Sequence, residues 1–214
     1  MFATVVWQAY KFHVLGPHPF LIARRLPMYI FMIGFEWSLL GFVWLFGLRL
    51  TRTPIRSIIG ERWTRLADPI VDLGIAFLFW IGVAVLLVIC RVVLGANPTA
   101  ERALRSLVPQ TPAETVVWIL LALSAGICEE IVFRGYLQRQ FFALTGNDAA
   151  AIALQSIVFG AAHAYQGFRG VITITLYGAL FGILAILRRS LVPGMIQHFF
   201  QDSSVILLRI LPKH

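Results

Sequence analysis

Two adjacent carboxylates, Glu129 and Glu130, stand in the stretch GICEEIVFRGYL, with Arg134 four positions after the second. Two further clusters follow. FGAAH ends in His163, and HFFQD opens on His198 and closes on Asp202. Carboxylates and imidazoles are the side chains that take and return protons near neutral pH, so this set suits general acid–base hydrolysis. The same donors can bind zinc or relay protons across a membrane. These three chemistries frame the reading of the rest of the chain.

The residues lie in an apolar sequence. Of 214 residues, 59% are hydrophobic and 13% charged, and the net charge is +8; the mean hydropathy is +0.82. Soluble domains carry about 25% charged residues, so this is the composition of a polytopic membrane protein. Its basic residues, such as Arg24/Arg25, Arg49, Arg102/Arg105 and Arg188/Arg189, flank apolar runs and form no continuous stripe. That placement fits snorkelling towards lipid headgroups and argues against nucleic-acid binding. The cysteines, Cys90 and Cys128, make no CxxC pair and read as small packing residues.

Six apolar segments can be marked: 27–48, 73–90, 115–128, 149–163, 170–187 and 190–211. The third must run on through the glutamates to be long enough to cross. None alternates with period two, so the expected fold is all-α, a single membrane domain over 1–214 with about six to eight transmembrane helices. Residues 2–15 could form an interfacial helix. If the spans alternate, the 49–72 loop, the 144–148 turn and Arg188/Arg189 share one side. The N-terminus and the 96–114 and 164–169 loops share the other. Gly178 and Gly182 form a GxxxG pair that permits close helix packing.

Helix geometry brings the polar residues together. TGND at 145–148 is a turn, with Glu130 sixteen residues before Gly146 and His163 seventeen after it. In an antiparallel hairpin both lie about 24–26 Å from the turn. Gly160, Ala161 and Ala162 keep the surface before His163 thin. Glu130 and Arg134 share a helix face and can pair, whereas Glu129 is rotated by about 100° and is left free to face His163. This division makes Glu130 structural and Glu129 catalytic. His198 and Asp202 share a face of the last helix. Glu36, inside the first span, has no partner motif and reads as a packing residue.

The motifs EExxxR (Glu129–Arg134), FxxxH (Phe159–His163) and HxxxD (His198–Asp202), in this order, resemble the CPBP family, also called Abi. It includes type II CAAX prenyl proteases and bacteriocin-processing relatives. The resemblance covers about residues 115–208, with helices of residues 1–95 preceding that core. It implies an intramembrane endopeptidase of a bacterial inner membrane, acting on a membrane-associated protein or peptide. On that likeness Glu129 and His163 activate water, His198 with its i+4 partner stabilises the oxyanion, and Glu130 and Arg134 support the site. The prenyl proteases carry Asn at the position of Asp202. An ionised Asp cannot donate a hydrogen bond, so Asp202 is expected to orient His198, to be protonated or to join a metal site.

No cofactor is required by this reading, and no HExxH is present. Zinc held by the same Glu, His and Asp residues is the alternative. A transporter or proton relay, and a non-enzymatic chaperone or immunity protein, are the other classes. Transporters usually repeat their halves, and no repeat is visible.

Overall fold

Proline, asparagine, threonine and glycine set where the helices begin and end. The computed structural model describes residues 25–60 and 63–209; the segment 2–15, expected as an interfacial helix, lies outside the described residues. Helix α1 (Arg25–Phe42) runs on as π-helical turns over Val43–Arg49. A short α2 (Ile55–Ile59) follows. Helix α3 (Asp68–Leu94) carries Pro69 in its first turn and stops at Gly95, where φ is 80°. Within the 96–114 loop, Asn97 caps α4 (Pro98–Leu107) by accepting from the Ala100 N–H.

Thr111 and Glu114 form a reciprocal capping box at the start of α5 (Pro112–Glu129). The helix then widens into π-helical turns over Glu130–Leu137 and continues as α6 (Gln138–Thr145). Gly146 takes the left-handed conformation, with φ at 64°, and Asn147 caps α7 (Asp148–Ala162). A 3-10 turn at Ala164–Gln166 leads into α8 (Gly167–Arg188). The chain turns at Arg189 into α9 (Val192–Ser203), which tightens into a 3-10 helix at Ser204–Arg209.

Four segments are long and apolar enough to cross a bilayer: Arg25–Arg49, Asp68–Leu94, Pro112–Thr145 and Ala164–Arg188. The third continues through the glutamates, as its length requires. The all-α, polytopic expectation therefore holds. Helix α7, with 15 residues, matches the expected segment 149–163, whereas the expected segment 190–211 is shorter than read, its helix α9 having 12 residues. At about 1.5 Å per residue α9 reaches only about 18 Å, against a hydrocarbon core of about 30 Å. It begins at Val192, with Pro193 and Gly194 inside its first turn, and beyond Ser203 the chain no longer keeps an α-helical pitch.

Apolar side chains face outwards on every span, including Phe31, Leu78, Val88 and Leu187. A soluble monomer rarely exposes so much apolar surface; lipid is its natural cover. Inside, Tyr29 meets Trp118 edge-on at 5.2 Å between ring centroids, joining α1 to α5, and Phe79 meets Phe181 at 5.0 Å, joining α3 to α8. The loops sort to two ends as alternation requires. At one end Leu191 N–H donates to the Ile59 carbonyl at 2.8 Å. There too, buried Asp72 accepts from Arg188 at 2.6 Å and from the Trp63 indole at 2.8 Å. At the other end Asn97 donates to the Gln166 carbonyl at 3.2 Å, and Arg25 to the Ser106 carbonyl at 3.0 Å.

Candidate active site

The centre of the site is Arg134, which is fully buried. Its Nη1 donates to Glu130 Oε1 at 3.0 Å, and its guanidinium lies 4.2 Å from the Phe159 ring centroid and 5.0 Å from that of Phe181. Nη2 reaches the Gly178 carbonyl at 3.4 Å. A charge buried this deeply needs both a counter-ion and hydrogen bonds, and the planar guanidinium also stacks on aromatic faces. Glycines make the room. A Cβ on Gly178 would stand 3.0 Å from the Phe159 ring, and one on Gly182 would stand 2.7 Å from Gln138 Oε1. The GxxxG pair thus opens α8 to polar side chains, and Gln138 and Gln155 use it to reach the Gly182 and Gly178 carbonyls.

Glu130 does more than pair with Arg134. The same Oε1 lies 3.1 Å from His198 Nδ1. A carboxylate only accepts, so Nδ1 carries the proton of that bond and Nε2 points the other way. Nε2 faces two carboxylates, Glu129 at 3.8 Å and Asp202 at 3.7 Å. Neither is a hydrogen bond at that length. The expected orienting bond from Asp202 to His198 is therefore absent, and Glu130 takes that place. The α5–α9 contact allows it. Gly126 abuts α9 so closely that a Cβ would meet the Met195 carbonyl at 2.9 Å, and Gly194 lies against Glu130.

His163 ends α7, and its Nδ1 lies 2.9 Å from the Phe159 carbonyl. A carbonyl only accepts, which puts the proton on Nδ1 and leaves Nε2 of the neutral ring as an acceptor. The hairpin between α6 and α7 closes at Gly146–Asn147, as the sequence indicates. Gly160 serves a different neighbour from the one expected: it packs on α8, where a Cβ would stand 2.8 Å from the Val171 carbonyl.

Glu129, His163, His198 and Asp202 line one cavity of about 480 Å³, whose walls come from α1, α3, α4, α5, α7, α8, α9 and the 3-10 turn before α8. Glu130 and Arg134 stand behind the wall. Glu129 Oε2 is enclosed without a hydrogen-bond partner, so no bond of that oxygen reaches His163. Among the described residues no group of three or more His, Cys, Asp or Glu side chains is placed to hold a metal ion. The sequence reading passed over Tyr177, whose hydroxyl donates to Gln197 Oε1 at 3.5 Å beside His198, and gave Glu36 no role in the site, although it lines the same cavity. Their one signal is a polar atom inside an apolar span.

Residues 111–204 match the Rce1-like family of type II CAAX prenyl endopeptidases. The matched stretch opens on Thr111, the N-cap of α5, and ends one residue past α9. It includes Glu129, Glu130, Arg134, His163, His198 and Asp202, and leaves out α1, α3 and α4, which supply the rest of the cavity wall. The match agrees with the CPBP resemblance of the three motifs, and the four spans mark an integral membrane protein. No curated protein and no solved structure matched the chain.

Proposed function

We propose that the protein is an intramembrane endopeptidase that hydrolyses a peptide bond with water activated by Glu129 and His163. The observation that carries this reading is the shared cavity: a carboxylate with an unpartnered oxygen, an imidazole with a free Nε2 and a second imidazole held by Glu130 all face it. Residues 115–208 form the catalytic core, and the preceding helices complete its wall. In this reading the protein works in a bacterial inner membrane, in keeping with the motif resemblance.

In this scheme Glu129 takes a proton from water, and His163 Nε2 accepts the hydrogen bond of the other. The water oxygen bonds to the scissile carbonyl carbon, and the carbonyl π pair moves onto its oxygen. Doubly protonated His198 donates Nδ1–H to Glu130 and Nε2–H to that oxyanion. Collapse re-forms the carbonyl and breaks the C–N bond. The proton held by Glu129 passes to the departing amine, so one water is consumed for one bond. General-base catalysis contributes roughly 10²–10⁴-fold, and one oxyanion donor about 10²–10³-fold. Asp202, at the far side of Nε2, is placed to favour the charged form of His198, and no metal takes part.

A membrane-attached peptide is the substrate class, and the family match makes a prenylated CAAX peptide the first probe. The purified chain in lipid nanodiscs should convert that peptide into one pair of products, seen by mass spectrometry. In heavy-oxygen water the label should appear in the new carboxylate. An intact peptide under these conditions, or cleavage without label, would count against the proposal.

A further inference from the structure

Glu36 is an ionisable residue that the hydrolytic scheme leaves unused. It sits near the middle of the span Arg25–Arg49, outside the stretch matched to the family. A carboxyl at such depth is costly unless it is paired. Yet Glu36 is 8% exposed, and its Oε2 is enclosed with no hydrogen-bond partner. Its polar neighbour on α5 is Ser124, whose hydroxyl stands close to the carboxyl but makes no hydrogen bond that satisfies Oε2. The cations of its own helix are engaged at the ends: Arg25 with the Ser106 carbonyl, Arg49 over the Trp44 ring.

Native proteins leave few buried acceptors unsatisfied, and each needs a reason. Here the reason lies in the place. Glu36 lines the cavity that Glu129 and His198 line. Beside it the wall is Met32, Leu121 and Ala122, apolar side chains that suit a hydrophobic substrate residue. Arg91 and Arg169, which line the same cavity, are engaged with Glu101 and the Ala96 carbonyl, which leaves the donor for Glu36 to an arriving ligand. A peptide drawn into the cavity brings backbone N–H groups that must find acceptors.

We propose that Glu36 is a substrate-positioning residue, whose carboxyl oxygen accepts a hydrogen bond from a backbone N–H of the bound peptide and so sets the scissile bond against Glu129. The assignment rests on the protease reading above. It also makes Glu36 a site where stability is given up for function.

The test uses the full chain in nanodiscs and the prenylated CAAX peptide, with kinetics, peptide binding and thermal unfolding measured together. Glu36→Leu should raise KM and lower kcat/KM about 10- to 100-fold, the range expected for a lost hydrogen bond to a buried acceptor. Its Tm should hold or rise, because an unpaired buried carboxyl is replaced by an apolar side chain. Glu36→Gln, which keeps an acceptor oxygen, should recover most of the loss. In the inactive Glu129→Gln background, adding Glu36→Leu should weaken peptide binding by a similar factor. A fall in Tm for both Glu36→Leu and Ser124→Ala would assign Glu36 to packing. Unchanged kcat/KM in Glu36→Leu would overturn the contact alone. A wild-type chain that neither binds nor cleaves the peptide would overturn the protease reading for this substrate, and the contact with it.

Discussion

Arg134 and Glu130 make a sealed ion pair, with side chains 0% and 1% exposed. Removing one partner of such a pair leaves a buried charge and costs about 3–5 kcal/mol. Arg134→Ala should therefore unfold at a clearly lower temperature than wild type in nanodiscs. Arg134→Lys should recover little, since an ammonium cannot stack on Phe159 and Phe181 as the guanidinium does. Normal thermal stability in Arg134→Ala would show that the pair is not holding the core. Glu130 and His198 act as one unit through the 3.1 Å bond. In a double-mutant cycle on kcat/KM, His198→Ala added to Glu130→Gln should cost little beyond the larger single loss. Multiplicative losses would separate the two residues and reopen the orienting role for Asp202. At this scale the sequence was informative in part. Spacing alone put Glu130 with Arg134 and His198 near Asp202. It could not reveal that one carboxylate serves both Arg134 and His198, because that depends on how closely α9 approaches α5.

Helix α5 meets α9 at small residues. A Cβ on Gly126 would stand 2.9 Å from the Met195 carbonyl and 3.2 Å from the Phe199 nitrogen. Both are backbone atoms, so the helices must part to make room. Overpacking of this kind costs typically about 1–3 kcal/mol. Gly126→Ala should lower both Tm and kcat/KM, because moving α9 moves His198; wild-type values for both would mean that the contact is not tight. The hairpin of α6 and α7 was legible because Gly146 and Asn147 carry their conformations in their residue types. The π-helical turns at Glu130–Leu137 were not legible. Widened helices have no local sequence signature and are frequent at functional sites. The shortness of α9 was also hidden, since apolarity continues past the point where the helix ends. Asp72, which ties α3 to Arg188, carried no signal either, its partner being distant in the chain.

All four apolar spans contribute to the wall of the cavity that Glu129, His163, His198 and Asp202 line. On the proposed function this cavity is where a peptide enters from the bilayer or its surface. If glutamate and histidine activate water directly, dialysis against a strong chelator should leave cleavage unchanged, and metal analysis should find far less than one zinc per chain. Stoichiometric zinc whose removal abolishes cleavage and whose return restores it would establish the metal route instead. The most direct measurement is kcat/KM of purified Glu129→Gln on the prenylated peptide, with folding verified by its Tm. Glutamine matches glutamate in size but cannot take the proton from water. A loss of two or more orders of magnitude is expected, the scale of a missing general base. A folded Glu129→Gln that cleaves the peptide near the wild-type rate would remove Glu129 from the chemistry.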